Sequence, residues 1–127
     1  MSEEHHGPGL LGRLGRAGLA AIFIRSGLEV AREPGQRVAK VEALGLPQAE
    51  LLTRLNGAGM VAAGTALALG IRPRESALVL FALLVPTTLV GHQFWTEEGP
   101  ARKQQEIHAL KNVGLAGGLL AVAAAES

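Results

Sequence analysis

Residues 76–95, SALVLFALLVPTTLVGHQFW, form an apolar run that contains no Asp, Glu, Lys or Arg. A helix needs about 20 mostly apolar residues to cross the hydrocarbon core of a bilayer. Pro86 removes one backbone donor, so we expect a kink that frees the carbonyl near position 82. In lipid that carbonyl needs an internal partner, such as Thr87, Thr88 or a neighbouring helix. The run therefore predicts a membrane-spanning helix.

Three further apolar segments, at residues 10–30, 51–71 and 104–125, have similar length. The first is the most polar because it holds three arginines, whose long side chains can reach the membrane interface. A soluble helical bundle is the alternative, but its helices would need polar faces. Residues 76–95 and 104–125 have almost none, which favours the membrane.

The four segments predict an all-α fold, an integral membrane four-helix bundle with the N- and C-termini on the same side. We expect one domain over residues 10–125, preceded by a disordered tail at residues 1–9. The longer link between the first two segments places Val38, Val41 and Leu44 at helical spacing. This pattern predicts a short amphipathic helix along the membrane surface.

Composition excludes several classes of function. The 127 residues are 48% hydrophobic and 3% aromatic with a net charge of +1, which gives no basis for nucleic-acid binding. The absence of cysteine excludes disulfides, thiol catalysis and Cys-held clusters. We find no metal-ligand spacing, hydrolase triad, phosphate loop or cleavable signal pattern. Any redox function would therefore depend on a bound molecule.

Small residues predict close helix contacts. Gly114 and Gly118 form a Gly-x-x-x-Gly pair, and Gly59 and Ala63 form a looser pair of the same kind. Such spacing lets helix backbones approach closely in a membrane. We interpret these residues as packing features.

Several polar residues are predicted to lie in one half of the membrane, whichever way the protein is oriented. Glu29 and Glu50 stand at i,i+4 spacing from two of the arginines and can pair with them. Intramembrane polar and ionisable groups are candidate functional residues. The candidate ligand-binding residues are Arg25, Asn56, His92, Lys111 and Asn112.

Lys111 and His92 suggest the chemistry of this cluster. Lys111 has no carboxylate at its own depth, so it would hold an anion or an electron-rich ligand, or else bond the carbonyl freed by Pro86. His92 would donate to a quinone carbonyl or carry its proton. The alternative places His92 with Trp95 in an interfacial aromatic belt. Haem ligation by His92 and His108 is less favoured, and no metal site is expected.

Five blocks of sequence are similar to the DoxX family of small bacterial membrane proteins. The resemblance extends from about residue 13 to residue 122, and GHQFW and LKN…GGLL are its most specific parts. The blocks are RAGLAAIFIRSGLE (16–29), GLP (45–47), GTALALGIRPRESAL (64–78), VPTTLVGHQFW (85–95) and LKNVGLAGGLL (110–120). The positions that match the family pattern are Arg16, Gly27, Pro47, Gly64, Gly70, His92, Phe94, Trp95, Lys111, Asn112, Gly117 and Gly118.

The resemblance implies a four-helix, multi-pass protein of the cytoplasmic membrane. The family resembles the membrane subunit of thiosulfate:quinone oxidoreductase, and some members associate with enzymes of oxidative-stress and thiol defence. Many relatives carry a glutamate near the position of Met60, so this chain departs from the family there. The departure leaves the cationic cluster less neutralised and weakens a proton-relay function.

Two hypotheses about function follow, together with a less favoured one. The first is a redox-associated accessory subunit with a pocket for quinone or an oxyanion in one half of the bundle. The second is a structural or assembly subunit that anchors a partner enzyme and binds no ligand of its own. A small-solute transporter is less favoured because no inverted repeat is visible. The expected partners are the lipid bilayer and either a redox enzyme or further copies of the chain.

Overall fold

The computed structural model describes residues 9–91 and 94–126, and the regular secondary structure there is entirely helical. No strand occurs in those ranges, which confirms the all-α prediction. Apart from Gly9, the predicted disordered tail lies outside them. The helices are α1 (Leu10–Arg32), α2 (Gln36–Ala43), α3 (Ala49–Leu69), α4 (Pro73–Gly91) and α5 (Gly99–Ala125), with a short 3-10 helix at Phe94–Thr96.

Two of these helices are long and apolar enough to cross a membrane, over Pro73–Val90 in α4 and Gly99–Ala125 in α5. Only 22% of an apolar 18-residue stretch in each span is buried within the chain, whereas a core helix of a soluble protein is mostly buried. Large apolar side chains such as Val79, Leu110 and Val113 are exposed instead. Exposed apolar surface of this kind is what lipid covers in a membrane protein.

Two glycines bring α1 and α3 into close contact. A Cβ atom on Gly27 would lie 2.6 Å from the carbonyl oxygen of Gly57. A Cβ atom on Gly57 would lie 2.6 Å from the carbonyl oxygen of Gly27 and 2.7 Å from the backbone nitrogen of Ala31. Because the obstructing atoms belong to the backbone, they cannot move aside as a side chain can. The two helices can cross at this distance only where both residues lack a side chain.

The predicted Gly-x-x-x-Gly pair of α5 has a looser environment. A Cβ atom on Gly114 would meet nothing within 4 Å, and one on Gly118 would make an ordinary contact of 3.7 Å with Leu19. Within the described chain, the close helix crossing therefore lies at Gly27 and Gly57 rather than at this pair.

Arginines connect the helix ends at the side of the fold opposite α2. Arg16 is only 7% exposed, and its Nη1 lies 3.4 Å from Oε2 of Glu126, just after α5. Gly70 ends α3 with φ of +75°, and a Cβ atom there would lie 3.3 Å from Nη2 of Arg16. Arg74 Nη1 donates to the carbonyl of Ala123 at 3.2 Å, and so satisfies one of the free carbonyls that end α5. The start of α1 thus lies near the ends of α3 and α5.

We predict that Gly57→Ala destabilises the protein and that the matched change Gly114→Ala does not. The added methyl group at position 57 overlaps backbone atoms of α1, so the free energy of unfolding should fall by about 1–3 kcal/mol. At position 114 the methyl group meets open space and should be neutral or slightly stabilising. Reversible unfolding in detergent, followed by circular dichroism, measures both values. Equal losses in the two variants would contradict the proposed crossing.

Candidate functional site

A chain of hydrogen bonds joins α3 to α4. Thr87 Oγ1 donates its proton to the carbonyl of Leu83 at 2.8 Å, and it accepts a hydrogen bond from Asn56 Nδ2 at 3.0 Å. The threonine proton is already used, so the amide nitrogen and not the amide oxygen of Asn56 must face Thr87. The oxygen, Oδ1, is buried and finds no hydrogen-bond partner among the described residues. Asn56 therefore retains one unused acceptor.

A second chain of the same kind joins α5 to α4. Thr88 Oγ1 donates to the carbonyl of Leu84 at 2.8 Å and accepts from Asn112 Nδ2 at 2.9 Å. Asn112 is only 5% exposed. Both threonine hydroxyls thus bond carbonyls that follow position 82, not the carbonyl that Pro86 frees. Of the partners expected for the carbonyl near position 82, the two threonines instead bond the carbonyls four residues before their own positions. The other expected partner, a neighbouring helix, stays a prediction.

Four of the five predicted ligand-binding residues share one level along the helices. At 1.5 Å of rise per residue, Arg25 lies about 22 Å from the start of α1, and Asn56 lies about 20 Å from the end of α3. Lys111 and Asn112 lie about 20 Å from the end of α5. The bonds from Asn56 and Asn112 to adjacent threonines of α4 agree with this estimate. We call Asn56, Thr87, Lys111 and Asn112 the polar floor.

The polar floor borders a cavity of about 880 Å³, to which α1, α3, α4 and α5 contribute walls and α2 a roof. Its lining includes three cations, Arg37, Lys40 and Lys111, and the two amides of the polar floor. No Asp or Glu is among the described residues that line it. The cavity therefore presents positive charge and hydrogen-bond donors without a compensating carboxylate.

At the polar floor and beyond it, on the side away from α2, the walls of the cavity are apolar. Phe23, Leu84 and Leu115 contribute side chains from three helices, and Met60 contributes one from α3. Met60 is only 3% exposed and belongs to the hydrophobic core. It occupies the position where the family resemblance implies a glutamate, so the departure makes this wall apolar. A ligand would find cations at the α2 end of the cavity and at the polar floor, and hydrocarbon at the deeper end.

Arg25 lies outside this cavity. Its side chain is exposed in a surface groove that residues of α1 alone form, beside Glu29 and Arg32. The structure therefore places Arg25 at the level of the polar floor but on a different face of the protein.

Arg54 also uses its side chain outside the cavity, in hydrogen bonds with α1 and with Glu50. Its Nη1 donates to the carbonyl of Ala31 at 2.6 Å, and its Nε donates to Oε2 of Glu50 at 3.0 Å. The carbonyl belongs to the last turn of α1, where carbonyls have no partner within the helix. The expected pairing with Glu50 is confirmed, and Arg54 caps α1.

Lys111 borders the cavity with an exposed side chain. Within the described parts of the chain it makes no hydrogen bond or ion pair, so the carbonyl freed by Pro86 does not bind its ammonium group. Trp95 is exposed in the 3-10 helix, and His108 is half-buried in α5. His92 lies outside the described residues, and its predicted function stays a prediction.

Sequence reasoning missed the two cations of the roof. Arg37 and Lys40 stand at i,i+3 spacing, and Val41 and Leu44 follow Lys40 on the same side of α2. That spacing puts basic and apolar groups together on one helix face. This spacing of basic and apolar residues is visible in the sequence of the link. The sequence alone, however, predicted only a short amphipathic helix along the membrane surface.

Comparison with known proteins identifies the family. The model of the DoxX family matches residues 11–93, which is more than half of the chain. The chain belongs to the DoxX family. No curated protein and no solved structure matches it. This protein is thus a DoxX-like membrane protein.

The DoxX match covers α1 to α4 but not α5. It includes Gly27 and Gly64, two glycines at which α1 and α3 pack, and Arg16, which pairs with Glu126. Lys111 and Asn112 lie beyond the match, so their importance rests on the geometry of the polar floor.

The two hydrogen-bond chains predict specific energetic coupling. In a double-mutant cycle, Asn112→Leu and Thr88→Val should couple by about 0.6 kcal/mol, a typical value between membrane helices. The control cycle pairs Asn112→Leu with Thr87→Val, which share no hydrogen bond, and should give coupling near zero. Unfolding in detergent supplies all the values. Equal coupling in both cycles would show that the amide does not distinguish the two threonines.

Proposed function

We propose that this DoxX protein is a four-helix bundle that crosses the cytoplasmic membrane with α1, α3, α4 and α5. With 23 and 21 residues, α1 and α3 are about 34 and 32 Å long, enough to span the hydrocarbon core. Four spans put both termini on one side, which agrees with the contact between Arg16 and Glu126. The amphipathic α2 would then lie at the opposite interface.

The proposed function of this bundle is that of a redox-associated accessory subunit that binds a quinone, or an oxyanion such as thiosulfate, in the cavity. The observation that carries the proposal is the polar floor, where Lys111 and the amides of Asn56 and Asn112 border a cavity whose described lining holds no carboxylate. Positive charge and donors suit a carbonyl oxygen or an oxyanion. The apolar walls suit the ring and tail of a quinone.

Each residue of the polar floor has a defined task in this proposal. Lys111 has an ammonium group without a described partner, so it would donate to a ligand oxygen and stabilise negative charge there. Asn112 and Asn56, fixed by the threonines of α4, would hold the floor in place around Lys111. His92, which follows α4, would supply or remove a proton. A bound quinone would accept or deliver the electrons.

An assembly function is the second candidate. The face of α5 that carries Leu110, Val113 and Gly114 is exposed, and a Cβ atom on Gly114 would meet nothing within 4 Å. Such a face can receive a helix of a partner enzyme or of another copy. In this case Lys111 would contribute to stability or complex yield and not to ligand binding.

We predict that Lys111→Met weakens quinone binding and that the control Lys103→Met does not. Lys103 is an exposed lysine of the same helix that does not line the cavity. Loss of a charged hydrogen bond should weaken the binding of decylubiquinone roughly tenfold or more. Native mass spectrometry of the detergent-solubilised protein, titrated with decylubiquinone or thiosulfate, measures the bound fraction.

The two functions give opposite results in this experiment. Equal binding by the wild type and by folded Lys111→Met would overturn the quinone or oxyanion site. A chain released from its own membrane with a stoichiometric protein partner and no small molecule would favour the assembly function.

A further inference from the structure

The roof of the cavity, α2, differs from the walls in its short length, its exposure and the glycine turns on either side of it. α2 is a short helix of 8 residues, and none of them is buried. Glycines with positive φ stand on either side of it, Gly35 at +54° and Gly45 at +81°. These values favour glycine, and a Cβ atom on Gly45 would meet nothing within 4 Å. The roof is thus a separate amphipathic helix between two glycine turns.

Two cations of the roof face the cavity without a partner. Arg37 and Lys40 line the cavity together with Val41 and Leu44 of the same segment. Neither side chain makes a hydrogen bond or an ion pair with any residue that the structure describes. Glu42, the acidic residue of α2, is not among the residues that line the cavity. The inner side of the roof therefore has excess positive charge next to apolar groups.

The proposed orientation in the membrane puts the roof at the level of lipid headgroups. α2 connects the end of α1 to the start of α3, so it lies where two spanning helices leave the hydrocarbon core. Arg32, which ends α1, is seven residues beyond Arg25 and therefore about 11 Å above the polar floor. The backbone of the roof is thus separated from the level of Lys111 by about two helical turns.

α1 contacts α5 and the residue after it near the end of the fold away from α2. There a Cβ atom on Gly118 would touch Leu19, and Arg16 pairs with Glu126. The cavity lies beyond these contacts, where Ile22 and Val30 of α1 and Leu115 of α5 line it.

We infer that the roof binds the headgroup of an anionic phospholipid, with Arg37 and Lys40 on its phosphate. The excess of cations favours a net negative headgroup, because no carboxylate in the lining would hold the cationic part of a zwitterionic one. Val41 and Leu44 contact the upper part of the acyl chains. This site rests on the proposed membrane orientation, but it does not depend on quinone binding at Lys111.

The test compares lipid binding by three forms of the full-length protein in a neutral detergent. The probes are dihexanoyl phosphatidylglycerol and dihexanoyl phosphatidylcholine, with native mass spectrometry as the readout. The double variant Arg37→Gln/Lys40→Gln should bind phosphatidylglycerol about thirtyfold more weakly than the wild type. The control Arg102→Gln/Lys103→Gln removes two charges at the start of α5, outside the cavity lining, and should retain binding.

Further outcomes decide the proposal. The charge-conserving variant Arg37→Lys/Lys40→Arg should restore most of the binding, which excludes loss of folding as the cause. Equal affinity for the two lipids, equal loss in the control, or full competition by inorganic phosphate at the lipid concentration would overturn the lipid site. Decylubiquinone binding on the same proteins separates the two proposals, because it should depend on Lys111 and persist in the roof variant.

Discussion

The fold depends on hydrogen bonds between the polar side chains of otherwise apolar helices. α4 has no charged residue after Glu75, yet Thr87 and Thr88 place two hydroxyls in its last turns. Each hydroxyl bonds a carbonyl of α4 and accepts an asparagine amide, one from α3 and one from α5. Hydrogen bonds of this kind fix which residues of neighbouring helices lie opposite each other. The polar floor therefore has a structural function that is separate from the proposed ligand binding.

The cavity exists because the helices are packed unevenly. The backbones of α1 and α3 meet at Gly27 and Gly57, where a single methyl group would not fit. Hydrogen bonds hold α4 between α3 and α5, so α1 follows α3 and leaves space toward α5. Lys111 and Asn112 border this space, and α2 covers its open end. The tight packing of α1 against α3 and the hydrogen bonds of α4 with α3 and α5 thus leave a cavity that charged side chains line.

The sequence predicted the helical class and the grouping of Asn56, Lys111 and Asn112, because helix length and depth depend only on local periodicity. It did not predict the position of Arg25, since the direction in which a side chain points depends on how its helix is rotated against its neighbours. Because helix rotation is not readable from the sequence, the Gly-x-x-x-Gly spacing predicted a close contact on α5, whereas the close crossing lies at Gly27 and Gly57. Arg37 and Lys40 were missed because facing the cavity is a tertiary property of α2.

Charge balance connects the departure at Met60 with the two proposed sites. A carboxylate at position 60 would stand in the cavity wall and neutralise part of the field of Lys111, Arg37 and Lys40. With methionine there, the wall packs into the core and the cations remain uncompensated by the lining. An uncompensated cation next to apolar groups favours an anionic or electron-rich molecule beside it. Methionine at position 60, where the resemblance implies a glutamate, is therefore consistent with the proposed oxyanion, quinone or lipid phosphate.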